Sequence, residues 1–131
     1  MSSPKMKALV ADRGIANRVL NLARGKTSFG PGGKVTEVPK PTISAKEILV
    51  KVKAVALNPT DFKHLDVISP PGSIIGCDFA GEVVEVGADA SGWKVGDRVA
   101  GGLHGGLYPD RGTFAEFLKV EGDLAYHIPE E

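Results

Sequence analysis

Glycine and proline divide this chain into short segments, and that constrains the fold more than any other feature of the sequence. Glycine accounts for 17 of the 131 residues and proline for nine, whereas glycine makes up about 7% of an average protein. Long helices need uninterrupted stretches, while short strands joined by tight turns accommodate frequent breaks. Because the length suits one domain, we predict a single mainly-β domain over residues 1–131.

Charge, hydropathy and cysteine content exclude several classes of protein. Lys plus Arg and Asp plus Glu both number 16, so the chain lacks the basic excess typical of nucleic-acid binders. No apolar run approaches the ~18–20 residues of a membrane helix, and the first five residues lack the apolar core of a signal peptide. A single cysteine, Cys77, fits a reducing compartment. We therefore expect a cytoplasmic protein with neither nucleic-acid nor membrane partners.

The breaks separate seven runs of apolar and β-branched residues that predict short strands. These runs cover residues 7–11, 35–38, 47–57, 79–86, 94–99, 114–120 and 124–128. The run at 94–99 is predicted to begin as a tight turn, with Gly96 free to take a positive φ, and then to enter a strand. Helical spacing predicts short helices at 15–23 and 59–65, and a mobile insertion is predicted over 13–34. A small, partly open barrel is favoured over a sandwich because the strands are uneven and the loops are long.

The longest predicted strand, 47–57, carries the clearest pattern in the sequence. Its alternate positions form one apolar face, and lysines occupy the other; the apolar positions are Ile48, Val50, Val52, Ala54 and Ala56. Period-two alternation of this kind indicates a half-buried strand. Asn58 and Pro59 then predict a helix start, because Asn is a favoured N-cap and Pro suits the first helical position.

No dinucleotide-binding fingerprint is present in the sequence. The motif Gly-x-Gly-x-x-Gly requires a third glycine between a strand and a helix. Gly30 and Gly32 are instead followed by Val35 at that position, outside any predicted βαβ unit. We therefore expect no Rossmann domain in this chain.

Five blocks of sequence, taken in order, resemble a known family. They are 47–52 (EILVKV), 56–61 (ALNPTD), 76–84 (GCDFAGEVV), 95–99 (VGDRV) and 112–117 (GTFAEF). This order resembles the N-terminal GroES-like domain of the medium-chain dehydrogenase/reductase superfamily. The Asn-Pro-x-Asp version is similar to its zinc-independent branch, the quinone-reductase-like enzymes and fungal trans-acting enoyl reductases.

The resemblance implies a chemistry and a set of site residues. Intact members of this branch reduce an enone, enoyl or quinone substrate with a hydride from NADPH. By resemblance, Asn58 and Thr60 face the nicotinamide end of the cleft, and Lys63 supplies a cationic group near substrate or cofactor. These three residues are the predicted catalytic and cofactor-binding set, with Asp61 orienting the loop. Zinc-dependent relatives place metal ligands where this sequence has Asn58 and Cys77, so no metal is expected.

Each of these residues also has a purely structural interpretation. Asn58 is equally well explained as a helix cap. Lys63 on an exposed helix face is most often a solvated charge, and Asp61 favours the positive end of the helix dipole.

Other polar residues are expected to have structural roles. We interpret Cys77 as a small buried apolar residue, Asp78 as a structural residue that hydrogen-bonds a turn, and Trp93 as a cap on the core at a turn. His64 and His104 have no evident acidic partner and are expected on the surface or in loops. The glycine-rich loop 101–112 is either flexible or a binding loop.

Two classes of function remain open at this stage. The chain ends near the point at which the family enters its nucleotide-binding domain, so we expect an isolated substrate-side domain that is inactive alone. The alternative is a non-catalytic binding or self-associating barrel derived from such an enzyme. Because a domain separated from its neighbour exposes apolar surface, we expect homo-oligomers in either case.

Overall fold

Seven short strands and two α-helices make up the computed structural model, which describes residues 3–25 and 32–130. The strands are β1 (Lys5–Ala11), β2 (Gly33–Pro39), β3 (Glu47–Ala56), β4 (Asp78–Val86), β5 (Arg98–Gly102), β6 (Phe117–Glu121) and β7 (Ala125–His127). The helices are α1 (Ile15–Ala23) and α2 (Pro59–Lys63), and α2 continues into a π-helical turn at His64–Ile68. A 3₁₀ turn, Gly122–Leu124, precedes β7. Of the insertion predicted at 13–34, residues 26–31 lie outside the described part.

The strands form two antiparallel sheets. The larger sheet has the order β6-β3-β4-β5-β7, and β1 pairs with β2 in the smaller one. Isolated bridges from Ala8 to Ala115 and from Val10 to Ile74 connect β1 to the segments that precede β6 and β4. Within residues 3–25 and 32–130 no ladder joins β6 to β7, so the barrel stays open between these edges. The predicted mainly-β, partly open barrel is thereby confirmed.

The main core lies against the larger sheet and consists of alternate residues from its strands together with Ala90 from the segment between β4 and β5. Alternation places residues i and i+2 on the same face of a strand, and the buried cluster accordingly contains Ile48, Val50, Phe79, Val83, Ala90, Val99, Leu118 and Val120. Trp93 packs against this cluster, donates its indole N–H to the Gly122 carbonyl at 3.2 Å, and stacks on His127 at 4.0 Å. Trp93 thus caps the core at a turn, as predicted.

β3 departs from its predicted alternation in both halves. Ile48, Leu49 and Val50 are all buried, so the first half is buried on both faces, whereas Ala54 and Ala56 are exposed. The expectation of one buried apolar face through Ala56 is therefore wrong. The register with β4 shifts between Val52 and Ala54. Such a β-bulge interrupts the alternation and bends the strand, which carries the end of β3 away from the core.

Register brings three chain segments together at one end of the larger sheet. Ala56, the last residue of β3, lies opposite Asp78, the first residue of β4, and Asp78 lies opposite Gly102 at the end of β5. The segments that adjoin these strand ends, 57–64, 74–77 and 103–106, therefore meet there. All the predicted site residues belong to the first of them.

Candidate functional site at one end of the larger sheet

Asn58 joins the start of α2 to the start of β4. Its backbone is extended and it occupies the N-cap position, as predicted. Its amide Nδ2 donates to Oδ2 of Asp78 at 2.6 Å, and its backbone N–H donates to Oδ2 of Asp61 at 2.8 Å. The helix-cap and site interpretations of Asn58 are therefore compatible, since its backbone begins the helix while its side chain spans the sheet end.

Asp61 is the most deeply buried acidic residue of the site. Only 6% of its surface is exposed, and Pro59 two residues earlier begins the helix. Its Oδ1 atom is buried without a hydrogen-bond partner among the described residues. Since a buried carboxylate oxygen is costly to leave unpaired, Oδ1 of Asp61 is an acceptor open to a hydrogen-bond donor inside the site.

Thr60 and His64 face each other across one turn of helix. The His64 ring nitrogen Nδ1 lies 2.8 Å from the Thr60 carbonyl oxygen and 3.1 Å from the Thr60 hydroxyl oxygen. His64 is only 8% exposed, so the expectation that it lies on the surface or in a loop is wrong. The spacing of four residues on a helix and the packing of the loop after β5 together explain the burial. His104 is exposed in that loop, and its ring meets that of His64 edge-on at 5.5 Å.

Cys77 sits beside the two acidic residues rather than in the apolar core. It is half-buried, which corrects the interpretation as a buried apolar residue. Burial raises the pKa of the Cys77 thiol, the backbone of Gly105 lowers it in part, and the negative charges of Asp61 and Asp78 raise it further. The thiol therefore remains protonated at neutral pH.

The loop after β5 packs closely against the other two segments. Leu103 donates its N–H to the Cys77 carbonyl at 2.8 Å, and Gly106 donates its N–H to the Ile74 carbonyl at 2.7 Å. A side chain on Gly105 would collide with the backbone of Gly76. The first two glycines of the predicted loop 101–112 belong to β5, and the part up to residue 106 forms a wall of the site.

Lys63 differs from the other predicted residues because it lies at the surface. It follows Thr60 by three residues, which places both on one side of α2. Lys63 is exposed, and within the described residues no carboxylate forms an ion pair with it. Leu57 and Phe62 beside it are 82% and 56% exposed. α2 and the residue before its N-cap thus expose one cation without an ion-pair partner in the described residues and two apolar side chains.

The sequence did not predict the partners of these residues. Asp78, His64 and His104 each contribute to the site, yet the sequence indicated structural or peripheral roles for them. The spacing of Thr60 and His64 on a predicted helix was a usable signal. For Asp78 and His104 the positions depend on strand register, and no local pattern reveals it.

Residues 3–25 and 32–130 contain neither a grouped set of metal ligands nor a membrane-spanning helix. No three His, Cys, Asp or Glu side chains in these ranges are grouped so that they could hold a metal ion. No helix in the same ranges is long and apolar enough to cross a membrane.

Comparison with known proteins identifies the family. The family model described as the alcohol dehydrogenase GroES-like domain matches residues 44–130, which include all three segments of the site. This chain belongs to that family. The resemblance to the GroES-like domain of medium-chain dehydrogenases/reductases is therefore confirmed.

Curated relatives of this GroES-like domain include fungal reductases. A trans-enoyl reductase of Aspergillus sclerotiorum, resD, is 50% identical over 107 residues, which are 79% of this chain and 30% of that protein. The trans-enoyl reductase TOXD of Cochliobolus carbonum is 50% identical over 93 residues, 69% of this chain and 31% of that protein. The chain thus spans about 30% of the length of these relatives.

Solved structures share the fold of this GroES-like domain over nearly its whole length. A quinone oxidoreductase from Coxiella burnetii superposes with a TM-score of 0.73 at 27% identity, covering 97% of this chain and 38% of that one. An alcohol dehydrogenase superfamily protein from Novosphingobium aromaticivorans gives a TM-score of 0.73 at 30% identity, covering 95% of this chain and 34% of that one.

Proposed function

We propose that this domain forms the substrate side of an NADPH-dependent reductase acting on an enoyl thioester, an enone or a quinone. The observation that supports this function best is the meeting of Asn58 and Thr60 with their polar partners at one end of the sheet. The same chain is 50% identical to a trans-enoyl reductase over 107 residues. Fold alone would not support the function, because one fold hosts many activities.

The hydrogen-bond donors of the site suit a conjugated carbonyl group. As a hydride reaches the β-carbon of such a substrate, negative charge develops on the carbonyl oxygen, and oriented donors stabilise it. The Asn58 amide has two N–H bonds, of which one serves Asp78. The Thr60 hydroxyl and the Lys63 ammonium add a neutral and a charged donor. These three residues would orient the substrate and stabilise that charge.

The surface around these donors also fits one end of the cofactor. Bound NADPH supplies the hydride. Exposed Leu57 and Phe62 offer apolar contact to a flat ring, and Asn58, Thr60 and Lys63 offer hydrogen bonds beside it. The sheets are wholly antiparallel in the described residues, so these ranges hold no βαβ unit of the kind that binds a pyrophosphate. We propose that this chain contacts only the nicotinamide end and binds NADPH weakly by itself.

The residues that occupy the zinc-ligand positions fit the metal poorly. Zinc takes thiolate, imidazole or carboxylate ligands, whereas Asn58 presents an amide already bound to Asp78. Cys77 offers a single thiol, and within residues 3–25 and 32–130 no three His, Cys, Asp or Glu side chains are grouped so that they could hold a metal ion. We therefore propose that substrate polarisation depends on hydrogen bonds and on Lys63 without zinc.

Binding of an unsaturated thioester tests this function on the chain itself. We expect a short enoyl thioester, added to the 15N-labelled 131-residue protein, to shift the amide signals of residues 57–64, 77–78 and 103–106. Thr60→Val, which removes the hydroxyl at nearly constant volume, and Lys63→Ala should each weaken binding, by roughly three- to tenfold for the loss of one hydrogen bond. Lys94→Ala, in a remote turn, is the matched control.

Shifts confined to other parts of the chain, or unchanged binding in both site variants, would contradict the proposal. Unchanged binding in Lys63→Ala alone would limit Lys63 to the role of a solvated charge.

A non-catalytic module that associates with itself is the second candidate function. The apolar exposure of Leu57 and Phe62 supports it, because contiguous exposed apolar surface marks contact sites. Such a module would use the same end of the sheet as an interface between copies. A competition experiment relates the two candidates. If the thioester and a second copy bind the same end of the sheet, adding an enoyl thioester should dissociate the copies; if they bind different surfaces, it should not.

A further inference from the structure

The buried imidazole of His64 occupies the space between the Thr60 side of α2 and the loop after β5. Its Nδ1 atom faces both oxygens of Thr60, at 2.8 Å from the carbonyl and 3.1 Å from the hydroxyl. On its other side, Gly106 packs so closely that a Cβ atom there would lie 2.7 Å from Cδ2 of His64. The His104 ring lies edge-on to the same imidazole at 5.5 Å.

The short contact with the carbonyl fixes the position of the His64 proton. A carbonyl oxygen only accepts hydrogen bonds, so an Nδ1 atom at 2.8 Å must carry the hydrogen that it donates. An Nδ1–H group cannot accept, and the Thr60 hydroxyl therefore cannot donate to His64. The hydroxyl oxygen can only receive from Nδ1, and its own proton stays available to another acceptor.

No other acceptor within the described residues takes that proton, since the only side-chain hydrogen bond of Thr60 there is the one to His64. Thr60 is half-buried, so part of the residue is open to a ligand. A ligand carbonyl oxygen is the kind of acceptor that it would meet under the proposed function.

We propose that His64 is a positioning residue: as the Nδ1–H tautomer it orients Thr60 so that the Thr60 hydroxyl donates to a ligand carbonyl. Packed against Gly106, the same ring keeps the loop after β5 in contact with α2. His64 itself touches neither substrate nor cofactor. This role deepens the proposed function, and the identity of the ligand rests on that function. The tautomer of His64 and the orientation of Thr60 are independent of it.

Two measurements on the ligand-free chain test the geometry directly. Long-range 1H–15N spectra of the histidine rings should show the Nδ1–H pattern for His64 at neutral pH, where most free neutral histidines favour Nε2–H. Three-bond couplings should show a single χ1 rotamer for Thr60. An Nε2–H tautomer, or a Thr60 side chain that averages over rotamers, would overturn the inference.

Two different substitutions of His64 test whether the orientation of Thr60 depends on the Nδ1–H donor. His64→Asn keeps an N–H donor near the place of Nδ1, whereas His64→Phe keeps the ring volume and removes the donor. We expect Thr60 to remain ordered in the Asn variant and to average over rotamers in the Phe variant. Gly106→Ala should reorient His64 through the close contact and produce the same averaging.

Thioester binding then connects this geometry to function. The His64→Phe variant should bind the enoyl thioester about three- to tenfold more weakly, and the Asn variant should match the original chain. Equal binding by His64→Phe would overturn the positioning role and leave the proposed function intact. No binding even by the original chain, with the tautomer and rotamer as expected, would contradict the proposed function and leave the geometry of His64 intact.

Discussion

At the scale of single residues, the site depends on pairs that join distant parts of the sequence. Asn58 begins α2 and also bonds to Asp78 across the sheet end, while Asp61 supports the helix start and lies beside Cys77. Each acidic residue is thus matched to a specific neighbour. The effect of changing the charge of one residue should therefore depend on the charge of its partner.

The Asn58–Asp78 pair should not tolerate a second carboxylate. Asn58→Asp keeps a good N-cap but places two negative charges at hydrogen-bond distance, so we expect a loss of about 1 kcal/mol in unfolding free energy at neutral pH. The loss should shrink as the pH falls toward about 4 and one carboxyl becomes protonated. Urea unfolding at both pH values measures it.

The double variant Asn58→Asp with Asp78→Asn is the control, because it restores one amide and one carboxylate. It should recover most of the lost stability. A single variant as stable as the original chain at neutral pH would mean that the 2.6 Å contact does not hold in solution.

Cys77 should react slowly with alkylating reagents. Burial and two neighbouring carboxylates raise the pKa of its thiol, and the thiolate is the reactive form. The rate of reaction with iodoacetamide should therefore rise at a higher pH than for a free cysteine. Asp78→Asn removes one negative charge at an exposed position, which lowers the pKa and should accelerate the reaction at neutral pH.

Asp89→Asn, outside the site, serves as the control for this measurement and should leave the rate unchanged. A thiol that reacts as fast as free cysteine at every pH would contradict the local electrostatics. In urea, where the chain is unfolded, the Cys77 thiol of every variant should react with iodoacetamide faster than it does in the folded chain.

At the scale of elements, patterns of a few residues predicted the strands but not their ends. The strand predicted at 114–120 begins at Phe117 because the preceding residues pair with β1: Leu9 donates its N–H to the Phe114 carbonyl at 2.8 Å. The start of β5 is the exception, because the turn predicted to enter a strand at 94–99 is confirmed. The Lys94 N–H bonds to the Asp97 carboxylate at 2.9 Å, Gly96 has a φ of +94°, and the strand begins at Arg98. In 114–120, by contrast, apolar character continues while the hydrogen-bond partner changes.

The site shows the same limit of sequence analysis. The helix α2 and its start at Asn58 and Pro59 were predictable because they depend on residues that are neighbours in the sequence. The Asn58–Asp78 pair and the contact of His64 with Gly106 depend on the register of β3, β4 and β5. Register follows from the pairing of whole strands, and the bulge after Val52 alters it without any local signal such as glycine.

Glycine at the junction before β4 should be irreplaceable. Gly76 has a φ of +101°, and a Cβ there would collide with the side chains of Thr113 and Phe114. Gly76→Ala combines backbone strain with overpacking, so we expect a loss of about 3 kcal/mol or more in unfolding free energy. Chemical denaturation measures the loss.

Gly72→Ala is the matched control for Gly76→Ala. Gly72 has a φ of +86°, but nothing lies within 4 Å of an added Cβ. It should lose only the conformational contribution, about 1 kcal/mol. Equal losses at both glycines would mean that the close contacts around Gly76 relax without cost.

At the scale of the whole molecule, the end of the sheet that carries the site also exposes apolar surface. Leu57 and Phe62 are both more than half exposed, so we expect reversible self-association that grows with concentration in sedimentation velocity. Replacing both residues by serine should shift the chain toward monomer. Val95→Ser is the control, because Val95 is 65% exposed in a turn that lies elsewhere, and it should change nothing. A clean monomer at high concentration would contradict the expectation.

Weak binding of NADPH follows from the small part of the cofactor that this chain can contact. A dissociation constant of 1 μM corresponds to about −8 kcal/mol, and such an affinity normally needs a site that buries most of its ligand. Asn58, Thr60 and Lys63 provide a few hydrogen bonds on an open surface beside Leu57. We therefore expect little change in nicotinamide fluorescence during titration, and no oxidation of NADPH when an enoyl thioester is added.

The comparison with Lys63→Ala makes the same titration decisive about the site. Any weak response should fall further in that variant, because it lacks the exposed Lys63 ammonium, which forms no ion pair within the described residues. A micromolar or tighter response of the original chain would contradict the assignment of a nicotinamide contact only. It would require a phosphate-binding surface in addition to α2 and the sheet end, and charge substitutions at other lysines would then locate it.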